Sequence, residues 1–131
     1  MVSLANFSSG RDALMPVMAK RIYEPPSHGD GYRVLIDGIW PRGITRERAA
    51  VDEWARELAP STQLRRWYGH EPDRFEEFAD RFRAELGAQR ERLSELRRRS
   101  RTGVVTLVFA ARDAEHSNAT VLGDVLRRGL R

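Results

Sequence analysis

Two stretches of this sequence carry groups able to bind anions or move protons. The first is Tyr32-Arg33-Val34-Leu35-Ile36-Asp37-Gly38-Ile39-Trp40-Pro41-Arg42-Gly43, an apolar run that holds Arg33 and Asp37 and stops at a Trp-Pro-Arg-Gly corner. The second begins as the apolar run Val104 to Ala111 and continues directly into Arg112-Asp113-Ala114-Glu115-His116-Ser117-Asn118. In α/β proteins the residues just past strand ends gather in one crevice, and ligands bind there. Arginine forks onto phosphate and carboxylate oxygens, so Arg33, Arg42 and Arg112 read as ligand-binding groups. Trp40 supplies an aromatic wall, and Ser117 and Asn118 supply polar contacts. Asp113 stands where strand becomes helix; as a cap it would leave first-turn amides facing the crevice, which favours an anion. His116 falls in the expected first turn, where the helix dipole disfavours its protonation. His116 and His70 are the acid/base candidates, because histidine titrates nearest neutral pH. Asp37 and Asp113 complete the candidate catalytic set by orienting the arginines or a substrate hydroxyl.

Each assignment has a plainer competitor. Arg33 and Asp37 sit four apart on a strand and so share a face, and charge on a buried strand must be paired or serve a site, because isolated buried charge is costly. A structural ion pair would satisfy that demand equally well. Asp113 can be a simple cap, His116 a surface residue, Trp40 a core residue at a rigid corner, and His70 an ordinary turn histidine. No zinc-ligand spacing, glycine-rich phosphate loop or serine elbow is present, so the residues name neither a metal nor a cofactor. The run Arg97-Arg98-Arg99-Ser100-Arg101 reads as a solvated helix end whose charge suits the dipole. It lacks the interleaved aromatics that stack single-stranded nucleic acid.

The elements that must position these groups follow from periodicity and punctuation. Lys20 to Tyr23 is short enough for a first strand, and Glu24 to Gly31 is a loop broken by Pro25, Pro26, Gly29 and Gly31. Arg33 to Ile39 reads as a strand, with Val34, Leu35, Ile36 and Ile39 giving the near-continuous apolar run of a sheet buried on both faces. From Arg46 to Leu58 the apolar spacing is helical, although so short a segment leaves room for a strand in one part. Ser61 is a good N-cap for a short helix ending near Trp67 and Tyr68, and Gly69-His70-Glu71-Pro72 is a turn. Asp73 opens a helix whose stripe is Phe75, Phe78, Phe82 and Leu86, extended by Leu93 and Leu96 beyond a bend at Gly87. The strand Val104 to Phe109 and a helix from about Glu115 to Arg128 close the chain. This order predicts an α/β fold, a small, mostly parallel sheet flanked by helices, with residues 18–131 as a single domain and 1–17 as a polar extension or an upstream start.

Composition bounds the rest. A chain of 131 residues with 40% hydrophobic and 32% charged content can bury one core as an ordinary globule. It has no cysteine, which excludes disulfides and thiol chemistry and is compatible with a cytoplasmic location. No apolar run approaches the roughly 20 residues of a membrane helix, and no secretory pattern opens the chain. The net charge is +4, almost all of it from arginine, since Lys20 is the only lysine. A GC-rich coding sequence accounts for that bias as readily as phosphate recognition does, and so small a net charge does not by itself argue for nucleic acid.

Several motifs resemble one family. Tyr32-Arg33-Val34-Leu35-Ile36-Asp37, Trp40-Pro41-Arg42-Gly43, Ala59-Pro60-Ser61, Trp67-Tyr68-Gly69-His70 and Arg112-Asp113-Ala114-Glu115-His116-Ser117-Asn118-Ala119 together resemble the YeaO-like proteins of domain-of-unknown-function family 488. The resemblance spans roughly Lys20 to the C-terminus. It implies a small cytosolic bacterial or archaeal α/β protein and supplies no established reaction. It also marks a departure: Gly38 stands where relatives usually carry arginine, so one ligand contact would be missing if that arginine binds. The expectation is therefore a crevice for a phosphate-bearing or other anionic small molecule, with hydrolysis or group transfer as the reaction class if there is one. The alternatives are a nucleic-acid-associated module using the arginine surface, or a structural or partner-binding protein.

Overall fold

A computed structural model of the protein describes residues 16–130. Its centre is a four-stranded sheet in the order β1-β4-β2-β3, formed by β1 (Val17–Arg21), β2 (Tyr32–Leu35), β3 (Glu53–Trp54) and β4 (Val105–Phe109). Every pairing is parallel, with β4 lying between β1 and β2 in the registers Val17↔Val105 and Tyr32↔Val105. The helices are α1 (Arg46–Ala49), α2 (Thr62–Tyr68), α3 (Phe75–Leu86), α4 (Arg90–Ser100) and α5 (Asn118–Arg128). The expected α/β class with a small parallel sheet and flanking helices is the one observed.

The alternation of side chains along each strand divides the core in two. Val17, Val34, Ile36, Val105, Leu107 and Phe109 face the larger cluster, where they meet the stripe Phe78, Phe82 and Leu86 of α3 and the inward face of α5. Ile22, Leu35 and Val108 face the opposite way into a smaller cluster closed by Ile44 and Ala49, with Trp40 and Trp54 against it. Burial on both faces is why β2 and β4 read as unbroken apolar runs. Tyr68 stacks on Phe78 with ring centroids 4.3 Å apart, which joins α2 to α3. The Ser61 hydroxyl accepts from the amide of Leu64 and caps α2 as its residue type implies.

Several boundaries differ from expectation. The first strand starts at Val17, which is buried, and the carbonyl of Pro16 accepts from the amide of Val105. Residues 16 and 17 thus belong to the sheet, while residues 1–15 of the expected extension lie outside the described residues. β2 ends at Leu35, and Ile39, expected inside that strand, is 60% exposed. The segment from Arg46 to Leu58 divides into α1, the edge strand β3 and a 3-10 turn. The last helix begins at Asn118 with Ser117 at its N-cap, later than the Glu115 start and without the Asp113 cap that were expected. Among the described residues, no helix is long and apolar enough to cross a membrane.

Candidate functional site

Because all four strands run the same way, their C-terminal ends meet at one edge of the sheet. The segments leaving β1, β2 and β4 there, together with α2 and the start of α5, enclose a cavity of about 660 Å³. Its wall includes Asp37, Trp40, Arg42, His70, Arg112, Asp113, His116, Ser117 and Asn118. Two sequence-distant polar clusters are therefore brought to one crevice, as expected from their common position beyond strand ends.

Arg33 is the exception, and its expected ligand-binding role is corrected. It projects from the face of β2 that carries Leu35, is 4% exposed, and does not line the cavity. Its guanidinium donates to Asp30 Oδ2 at 2.6 Å and to the carbonyls of Ala49 and Ala50 at 2.8 and 3.0 Å. Asp30 also accepts from Lys20 Nζ at 3.1 Å and from the amide and hydroxyl of Ser27, both at 3.0 Å. Burial alone would raise the Asp30 carboxyl; the Ser27 amide, the Lys20 and Arg33 cations and the Ser27 hydroxyl outweigh it and pull its pKa to about 2. Arg33 thus ties the loop before β2 to the end of α1, and its partner is Asp30 rather than Asp37.

Asp37 lies where β2 has ended and the chain turns into the cavity wall. One carboxylate oxygen accepts from the amide of Ala110 at 2.9 Å, and the other from Asn118 Nδ2 at 3.1 Å. Asn118 Nδ2 also lies 3.1 Å from the carbonyl of Ile36. These bonds lock the exits of β2 and β4 to the first residue of α5. Burial raises the Asp37 pKa; Asn118, the Ala110 amide and the positive fields of His70 and Arg65 oppose it only in part. Each oxygen accepts one hydrogen bond from the scaffold, so Asp37 ties the wall of the cavity to β4 and α5.

His116 is held from several directions. Its Nδ1 lies 2.7 Å from Asp113 Oδ2, and its amide donates to Asp113 Oδ1 at 3.2 Å. Phe75 packs against the imidazole edge-on at 5.2 Å, and the Tyr68 hydroxyl donates to the His116 carbonyl at 2.6 Å. His116 precedes α5 and does not occupy the expected first turn; its polar side-chain partner is Asp113. The same contact lowers the Asp113 pKa. Tyr68 titrates above its usual value because it is buried and because Asp113 places negative charge nearby. With Nδ1 engaged, Nε2 is the ring atom left for other contacts. His70 adopts a left-handed backbone at φ 58° directly after Gly69, the residue that ends α2.

The remaining groups divide by how much freedom they keep. The Trp40 indole donates to the carbonyl of Ile44 at 2.6 Å and packs edge-on against Trp54, so this wall is fixed. Ser117 is buried and its hydroxyl donates to the carbonyl of Ala114 at 2.7 Å, which leaves the expected ligand role to its position and not to its proton. Arg42 and Arg112 are exposed, and among the described residues their guanidinium groups make no hydrogen bond or ion pair.

Sequence reasoning missed Arg65, Tyr68 and Tyr23, which also line the cavity. Arg65 and Tyr68 lie three apart on α2 and share a face, a signal present in the spacing once α2 is known to border the crevice. The Arg65 guanidinium, like those of Arg42 and Arg112, makes no hydrogen bond or ion pair among the described residues. Nor does any group of three or more His, Asp or Glu side chains there gather closely enough to hold a metal ion. The arginine run at the end of α4 precedes β4 and lies at the opposite end of the sheet. It is partly engaged there, with Arg99 over the Tyr32 ring at 3.7 Å and Ser100 buried.

This arrangement defines a parallel α/β protein with a cationic, aromatic-walled crevice at the C-terminal edge of its sheet. Residues 16–131 match the family described as the inactive DUF488-N3 subclade, and the chain belongs to it. It is similar to an uncharacterized protein of Mycobacterium tuberculosis, 44% identical over 110 residues that cover 84% of this chain and 92% of the relative. It is also similar to the uncharacterized protein YeaO of Escherichia coli, 36% identical over 113 residues covering 86% and 98%. The chain is thus a YeaO-like member of domain-of-unknown-function family 488. No solved structure matches it.

Proposed function

We propose that the crevice binds a phosphate-bearing or other anionic small molecule. One observation carries this reading: the guanidinium groups of Arg42, Arg65 and Arg112 border a single cavity without a protein partner among the described residues. Guanidinium donors that the protein leaves uncommitted are suited to ligand oxygens. Asp113 and the Nε2 side of His116 supply a further oriented donor or acceptor. Binding without turnover is favoured over hydrolysis or group transfer. The description of the subclade as inactive supports that choice. The nucleic-acid alternative has less support, because the Arg97–Arg101 run lies far from the crevice and part of it packs on the protein.

Calorimetry with inorganic phosphate, nucleotides, sugar phosphates and small carboxylates tests the reading. Each of Arg42→Ala and Arg112→Ala is expected to weaken the best anion by about 10- to 100-fold, since a charged hydrogen bond contributes roughly 1.5–3 kcal/mol. Binding should depend only weakly on salt. Failure of every anion to bind the wild type would refute the proposal, as would steeply salt-dependent DNA or RNA binding lost when Arg97, Arg98, Arg99 and Arg101 are replaced.

A further inference from the structure

Three large hydrophobic side chains stand out as exposed among the described residues: Met18 at 56%, Tyr23 at 44% and Ile39 at 60%. Two of them, Tyr23 and Ile39, line the crevice, and they reach it from separate strand ends. Neither is a loose surface residue. The Tyr23 hydroxyl donates to the carbonyl of Arg42 at 3.4 Å, and the Arg21 guanidinium lies 5.3 Å from the ring centroid. Ile39 is fixed between Asp37, whose oxygens are tied to β4 and α5, and Trp40, whose indole is bonded to Ile44. Two exposed apolar side chains bordering the same cavity, beside the Trp40 ring, offer an apolar ligand group a surface to cover. The cavity is also much larger than an inorganic anion requires and falls within the range of sites for drug-sized molecules.

Resting on the anion-binding reading above, we propose that the ligand is amphipathic, an aryl or similarly planar apolar body bearing one anionic end. The apolar body lies against Tyr23, Ile39 and Trp40, and the anionic end meets Arg112 and its neighbouring guanidinium groups. Asp37 reinforces this polarity, because a carboxyl in the wall beside Gly38 repels a second anionic group from that part of the cavity.

The test compares ligands that share a head group and differ only in the body. Methyl phosphate is paired with phenyl phosphate, and acetate with benzoate, each titrated calorimetrically into the full chain. The aryl member of at least one pair should bind at least tenfold more tightly than its methyl partner. Ile39→Ser should bring the aryl ligand down to the affinity of its partner and leave the methyl ligand unchanged. Arg112→Ala should weaken both members alike. The Ile39 side chain is exposed, so Ile39→Ser should keep the wild-type melting temperature, which a thermal scan checks. Equal affinity within each pair would overturn this inference and leave the anion site standing. Absence of binding by every one of these anions would overturn the anion site and the inference with it.

Discussion

Replacing Asp30 by asparagine separates the scaffold role of Arg33 from any role in ligand binding. In the wild type the carboxylate accepts from Lys20, Ser27 and Arg33, and its pKa falls from 3.8 to about 2. A carboxyl whose folded pKa is depressed contributes stability that is present above the unfolded value and lost as pH falls toward the folded one. The shift corresponds to at most about 2.5 kcal/mol at neutral pH, at roughly 1.4 kcal/mol per unit. The asparagine would keep the shape but lose the charge, leaving the buried Arg33 guanidinium without its counter-ion. Breaking a buried pair in this way costs roughly 3–5 kcal/mol. Urea unfolding of wild type and Asp30→Asn at pH 7 should therefore differ by about 3–5 kcal/mol. By pH 3 the gap should narrow by about 1 kcal/mol, because the unfolded wild type then binds a proton at Asp30 while the folded protein holds the carboxylate ionised. Using the difference between the two proteins cancels the titration of distant carboxylates. A gap below about 1 kcal/mol at pH 7, or one that widens on acidification, would refute the assignment of Asp30 as the charged partner of Arg33.

Other perturbations have equally definite outcomes. Asp37→Asn should gain stability relative to wild type as pH rises above 3.8, because a raised carboxyl pKa means that ionising Asp37 costs native-state stability; thermal melts at pH 4 and pH 7 measure the trend. Gly31→Ala should destabilise by more than the roughly 1–3 kcal/mol of backbone strain alone, since its φ is 61° and a Cβ there would lie 2.3 Å from the Val104 carbonyl; chemical denaturation checks it. Tyr68→Phe should cost about 1 kcal/mol through loss of the bond to the His116 carbonyl, and should alter the His116 imidazole resonances in an NMR spectrum. Gly38→Arg should fold with little change in melting temperature, because a Cβ there meets only the Ala59 Cβ at an ordinary 3.5 Å.

Much of the site was legible because strand direction and segment position suffice to gather polar clusters. The apolar runs of β2 and β4, the corner after Asp37 and the capping Ser61 all behave as their residue types demand. Arg33 did not, for a reason rooted in strand parity. Residues four apart share a face only while the strand persists, and β2 ends at Leu35. Asp37 is therefore turned by the corner and bonded to β4, while Arg33 stays on the face beneath α1. Ile39 was misplaced by the same early ending. The start of α5 was misjudged because Asp113 and His116 satisfy each other in a turn of their own, a local bond that competes with helix formation. Arg65 and Tyr68 were illegible as site residues, since nothing in a short helical segment says which end of the sheet it borders.

The position of β4 between β1 and β2 also sets the order in which the molecule can form. Both neighbours of β4 are made long before it during synthesis, and in the folded sheet they do not pair with each other. Until Val105–Phe109 emerges from the ribosome, β2 has only the two-residue β3 as a sheet partner, and β1 has none among the described residues. The nascent chain must therefore carry β1 unpaired until then. It closes a loop spanning most of the described residues in a single late step, the kind of non-local contact that slows folding. Because the crevice is built on the exits of β1, β2 and β4, it is assembled in that same step, and no fragment that stops short of β4 should possess it.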